Sequence, residues 1–137
     1  RQEADNMQIH QSAEDYLETI LMLTQRMGRV RSIDVVNELG YTKASVSIAM
    51  KKLRENGYIA VDGEGNLTLL EPGREIAERI YSRHRLLTHF FVQLGVDEEV
   101  AAEDACKAEH ILSEQTLKKI REYALLHDAE DSVQRSE

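Results

Sequence analysis

Apolar residues recur at helical spacing through Tyr16, Leu17, Ile20, Leu21 and Leu23, which predicts an amphipathic helix from Ser12 to Arg26, capped by Ser12 and stopped at Gly28. Ser32 reads as the N-cap of a short second helix carrying Ile33, Val35, Val36 and Leu39 and ending at Gly40. Thr42 caps a third, in which Val46, Met50 and Leu53 form an apolar stripe and Asn56-Gly57 marks the close. Two short apolar runs, Tyr58 to Val61 and Leu67 to Leu70, flank Asp62-Gly63-Glu64-Gly65-Asn66, the pattern of a β-hairpin with a turn-rich tip. Helical periodicity returns after Glu71-Pro72-Gly73 at Ile76, Ala77, Ile80, Leu87, Phe91 and Leu94, and Gly95 ends it. Asp97 is placed to cap a fifth helix from about Glu98 to Leu112, and Ser113 a sixth from Glu114 to Leu126. The polar, acidic residues beyond Asp128 are expected to form a disordered tail.

Three helices followed by a two-stranded ribbon are the element order of a winged helix-turn-helix, with helices again behind it. The expected fold class is therefore mainly α: a DNA-binding winged helix-turn-helix over residues 1–71, and a helical unit over residues 72–137 that ends in the tail. In such a unit the third helix enters the major groove. Its early residues Thr42, Lys43, Ala44, Ser45 and Ser47 are small or polar and leave room to approach base edges, and Lys51 and Lys52 are placed to grip phosphates. Arg31 and Ser32 at the start of the second helix, with Gly65 and Asn66 at the hairpin tip, complete the candidate DNA-contacting set. The blander account is a helix-turn-helix used only for packing, with its lysines solvated.

Charge argues for two surfaces. The net charge is −8, which by itself opposes binding to a phosphate backbone. Yet the stretch from Arg29 to Arg54 holds Arg29, Arg31, Lys43, Lys51, Lys52 and Arg54 against only Asp34 and Glu38, a local +4, so the remainder carries −12. A basic island in an acidic chain suits one polyanion-facing surface and another region suited to cations. One cysteine excludes an internal disulfide, and no apolar run nears the roughly 18 residues that span a bilayer. A cytoplasmic protein with no membrane partner is expected.

The candidate cation ligands lie outside the island. Cys106, Glu109 and His110 stand at i, i+3 and i+4, on one face of a continuous fifth helix, and offer a thiolate, a carboxylate and an imidazole. The first helix offers Asp15 and Glu18 at i, i+3, and the long helix offers His84. Six donors from three helices suit octahedral-leaning divalent ions better than one closed tetrahedral zinc site. Singly, each has an ordinary explanation: Cys106 as a small buried apolar residue, Asp15 and Glu18 as acids in a first helical turn, His84 as a surface side chain beside Arg83.

With these parts in order the chain resembles the iron- and manganese-dependent repressors of the DtxR/MntR family, from about Ser12 to His127. The resemblance rests on Glu14-Asp15-Tyr16-Leu17-Glu18, on Thr42 to Leu53, on Arg83-His84-x-Leu86-Leu87 with Leu94-Gly95-Val96, and on Cys106-x-x-Glu109-His110. It implies Asp15, Glu18, His84, Glu109 and His110 as ligands of the manganese-regulator type. Cys106 departs from that type, which has a carboxylate there, and matches the iron branch; Asp15 departs the other way, since the iron branch has Met. Thr88 and Ala102 stand where iron-type members carry ancillary-site donors, so that second site is expected to be absent, and a short form without the SH3-like third domain of the iron type is expected.

The implied cofactor is one or two Fe²⁺ or Mn²⁺ ions per subunit, with Zn²⁺ or Co²⁺ as binders in vitro. The implied partners are operator DNA and a second copy of the chain. Metal joining the first helix to the dimerisation helices would set the distance between two recognition helices, which must match half-sites about one helical turn apart. Leu86, Leu87, Phe90, Phe91, Val92, Val100, Ala101 and Ala105 are candidates for the dimer surface, some of them belonging instead to the core. Two rivals remain open on sequence: a metal-independent winged-helix regulator responding to a small organic ligand, and a metal-dependent hydrolase with Glu109 or Glu18 as base. Six protein donors leave little open coordination for the latter.

Overall fold

The computed structural model describes the backbone of residues 2–136 and the side chains of residues 11–130. The chain forms two compact units that divide between Arg79 and Ile80.

The first unit contains α1 (Gln2–Met27), α2 (Ser32–Leu39), α3 (Lys43–Glu55), β1 (Ile59–Val61), β2 (Leu67–Leu69) and the opening turns of α4 (Glu71–Gln93). The two strands pair antiparallel with Ile59 opposite Leu69, Ala60 opposite Thr68 and Val61 opposite Leu67. Their inward positions join Leu17, Ile20, Val30, Val35 and Val46 in a dry aliphatic core. The wing is tied to the chain ahead of α2, since Leu67 N–H donates to Val30 O at 2.7 Å and Arg31 bridges Asn66.

Two helix starts differ from expectation. α1 begins at Gln2, which makes Ser12 an interior residue; the preceding segment contains no Gly or Pro and includes Ala4, Met7 and Gln8, so nothing in it breaks a helix. α2 is capped at Arg31, one residue before Ser32: the Asp34 carboxylate reaches back to accept from Arg31 N–H at 2.9 Å, satisfying a donor that the helix leaves open. Thr42 is the N-cap of α3 as expected, its hydroxyl accepting from Ser45 N–H at 3.1 Å.

Gly73 allows the closest approach in this unit. A Cβ there would lie 2.2 Å from Tyr58 O and 3.3 Å from Leu17 Cδ2, so only glycine lets α4 start against the wing and α1.

The second unit contains the remainder of α4, α5 (Glu98–Ala108) and α6 (Glu114–Ser136). Its core centres on Leu87, Ala105 and Leu117, against which Leu86, Phe91, Ala108, Leu112 and Ile120 pack. Leu87, Ala101 and Ala105 are fully buried here, so they leave the set of dimer candidates; Val92 and Val100 stay exposed, as do Leu94, Ile111, Leu125 and Leu126. Phe90 packs edge-on to Tyr123, with ring centroids 5.8 Å apart.

α5 stops at Ala108, four residues short of the expected end. α6 instead continues through the stretch expected to be a disordered tail. No Gly or Pro follows Gly95, so no breaker halts it, and the Ser113 hydroxyl accepts from Thr116 N–H at 3.2 Å to start it. Among the described residues no helix is long and apolar enough to cross a membrane.

Candidate functional site

In the second unit two donors meet around one imidazole. His84 sits on α4; its Nδ1 lies 3.0 Å from Glu109 Oε2 and 3.7 Å from Cys106 Sγ. The other Glu109 oxygen, Oε1, is 3.5 Å from His110 Nε2 without making a hydrogen bond. Glu109 is completely buried and the His110 side chain almost so, whereas Cys106 is exposed. A carboxylate withdrawn from water is costly unless its charge is compensated. The contacts with Cys106 and then Glu109 hold the His84 imidazolium far above its ordinary value, pushed up to about 10 against the opposing effect of burial.

The early end of α5 reshapes this group. Cys106 belongs to the last helical turn, while Glu109 caps the helix and His110 follows in the turn, so the three do not share one face of a continuous helix. Glu109 nevertheless keeps right-handed helical angles, with its N–H donating to Ala105 O at 2.9 Å, and its side chain turns inward.

Arg83 was absent from the sequence candidates, although it adjoins His84. Its guanidinium donates to Glu109 O at 3.3 Å and pairs with Glu114, fixing the turn that carries Glu109 and His110. Thr88 is spent within α4, donating to His84 O at 2.8 Å.

In the first unit Asp15 and Glu18 lie on α1, half-buried and buried respectively. A buried glutamate is unusual, since Glu is seldom fully withdrawn without a compensating charge. Within the second unit, the imidazole of His84, the thiol of Cys106 and the buried carboxylate of Glu109 are donor types that fit a divalent transition ion.

The candidate DNA face is exposed and basic. Arg29, Arg31, Lys43, Lys51, Lys52 and Arg54 all reach solvent, while the two acids of the island are occupied: Glu38 pairs with Arg26 at 3.1 Å and Asp34 holds the cap of α2. Lys43, Ala44, Ser45, Ser47, Lys51 and Lys52 line the outer side of α3. Thr42 and Ser45 also bond to each other, hydroxyl to hydroxyl at 2.9 Å. At the wing tip, Asn66 N–H and its amide donate to the Asp62 carboxylate, which these bonds hold below the usual carboxyl range; Gly65 adopts a left-handed φ of 86° beside the Arg31 guanidinium. Asn66 and Gly65 therefore build the tip, and Ser32 is half-buried in the first turn of α2.

Residues 8–67 match the family model described as iron dependent repressor, N-terminal DNA binding domain, and residues 70–127 the one described as iron dependent repressor, metal binding and dimerisation domain. The chain belongs to the DtxR/MntR family of metal-dependent repressors. Among relatives within this DtxR/MntR group, an uncharacterised HTH-type transcriptional regulator of Methanocaldococcus jannaschii is 35% identical over 113 residues, which cover 81% of this chain and 90% of that protein. The HTH-type transcriptional regulator MntR of Bacillus subtilis is 32% identical over 121 residues, 88% of this chain and 85% of that one. The solved structure of a manganese-dependent transcriptional repressor in complex with manganese superposes with a TM-score of 0.75 at 28% identity, covering 82% of this chain; the present chain spans 52% of its length. These relatives are named as a transcriptional regulator and a transcriptional repressor, in line with the regulator reading of this chain rather than the hydrolase one.

Proposed function

We propose that this chain is a metal-responsive repressor acting as a homodimer in the cytoplasm. Asp15, Glu18, His84, Cys106, Glu109 and His110 hold one or two divalent ions per subunit, and α3 with the wing binds double-stranded operator DNA. The observation that carries this is the convergence of Glu109 Oε2 and Cys106 Sγ on His84 Nδ1 around a fully buried carboxylate.

When bound, a divalent ion supplies the positive charge that compensates these carboxylates and replaces the proton on His84. The remaining functions fall to the chain itself. Arg83 holds the turn bearing Glu109 and His110, so those donors are ordered before any ion arrives. Asp15 and Glu18 contribute donors from the DNA-binding unit, and the other four come from the second unit. Metal held by these residues lowers the ordering cost of placing two recognition helices on one duplex. Mixed sulfur and oxygen donors favour Fe²⁺ over Mn²⁺ in intrinsic affinity, while the carboxylates suit Mn²⁺; the physiological ion is Fe²⁺ or Mn²⁺, with Zn²⁺ and Co²⁺ binding in vitro.

Fluorescence anisotropy on an operator-like duplex, with and without Mn²⁺ or Fe²⁺, tests the proposal. Metal should raise affinity at least tenfold, and Glu109→Ala and His110→Ala should abolish the increase. Equal binding in all samples would defeat it and favour the metal-independent regulator.

A further inference from the structure

Ile48 is 58% exposed at the middle of α3, although the helix already buries Val46, Met50 and Leu53 on its inner side. At i, i+4 and i+7, Ala44, Ile48 and Lys51 form the outward ridge, opposite that buried stripe. This ridge is poor in hydrogen-bonding reach. No Arg, Asn or Gln stands between Lys43 and Lys52, yet those side chains make the bidentate pairs that distinguish guanine and adenine. Thr42 and Ser45 are engaged in capping and in their mutual bond. The largest side chain on the ridge other than lysine is therefore a branched hydrocarbon.

In the major groove only one base presents an apolar group to such a side chain, namely thymine through its C5-methyl. From this placement we infer that Ile48 is a specificity-determining residue that reads a thymine methyl in each half-site. The inference rests on the proposal that α3 enters the major groove. Ala44, one turn earlier, is small enough to let the helix approach closely, while Lys43, Lys51 and Lys52 supply affinity that is independent of sequence.

The test uses the full chain loaded with Mn²⁺. Duplexes are selected from a randomised pool, and each thymine of the selected site is replaced in turn by deoxyuridine, which removes only the methyl. One position per half-site should lose about fourfold in affinity, the value of a single buried methyl group. Ile48→Ala should bind the thymine duplex more weakly and show no difference between thymine and uridine at that position; Ile48→Val should fall between. Thermal melting of both variants checks that the fold is retained, as expected for an exposed side chain.

Ile48 also borders a groove of about 740 Å³ lined by Tyr16, Leu53 and Ile76. A role confined to that groove would weaken thymine and uridine duplexes equally, and that result would overturn the inference. So would a selected site without thymine, or an Ile48→Ala variant that keeps the thymine preference. If the loaded protein selects no duplex while the unloaded protein also fails, the DNA-binding proposal falls and this inference with it.

Discussion

The two units solve the problem of a small core in opposite ways. The first packs Leu17, Ile20, Val30, Val35, Val46 and Ile59 at or near zero exposure and closes its helix ends with Asp34 and Thr42. The second centres on a smaller cluster, Leu87, Ala105 and Leu117, and places the side chain of Glu109 at zero exposure at the C-cap of α5. Dry packing contributes stability regardless of what is bound, at about 25 cal/mol per Å² of apolar surface buried. A buried carboxylate facing an imidazolium stabilises only while the opposing charge is present. The difference places most of the dry packing in the first unit and the pairing of His84 with Glu109 in the second.

Metal loading should show the contrast most strongly. Free Mn²⁺ at about a hundred times its Kd should stabilise the fold by about 2.7 kcal/mol, raising the melting temperature by about 9 °C, and a chelator should reverse it. Hydrogen exchange should then slow more for residues 83–110 than for residues 32–69. Equal protection of both stretches would remove the distinction drawn between the units.

The metal-free protein should also respond to pH through the second unit. His84 has its folded pKa pushed up to about 10 from an ordinary 6.5. Its contribution is thus complete below about pH 6.5 and is lost progressively as pH rises towards 10. Denaturant titrations across that range should show falling stability in the wild type and a smaller fall in His84→Gln. The same proton competes with a bound cation, so metal affinity should rise over the same interval.

Within the first unit the largest effect should come from overpacking. Gly73→Ala puts a methyl 2.2 Å from Tyr58 O, a backbone atom that cannot rotate away, and should cost about 2 kcal/mol or more in urea unfolding. Thr42→Ala removes the cap of α3 and should cost about 1 kcal/mol. If Thr42→Ala proved as damaging as metal removal, the first unit would not be the self-sufficient part.

The helix-turn-helix and wing were legible in the sequence because their signals are local: Thr42 as a cap, Gly40 as a stop, and the period of Val46, Met50 and Leu53. The ends of α1, α5 and α6 were not, because helix boundaries depend on which neighbours satisfy the terminal groups, as Asp34 does for Arg31. The donor types of the candidate site could also be read directly from Cys106, Glu109, His110 and His84. That Glu109 would be wholly buried, with Arg83 bracing its turn, could not.

Sequence alone determined the period of each helix, the sign of each surface and the chemical identity of every donor, since those are properties of residues and their immediate spacing. Only tertiary structure decided that Leu87, Ala101 and Ala105 belong to the interior while Val92 and Val100 stay outside, that Gly73 must lack a side chain, and that Ile48 faces outward from α3. Burial and charge compensation are set by groups distant along the chain, and their positions exist only once the helices have packed.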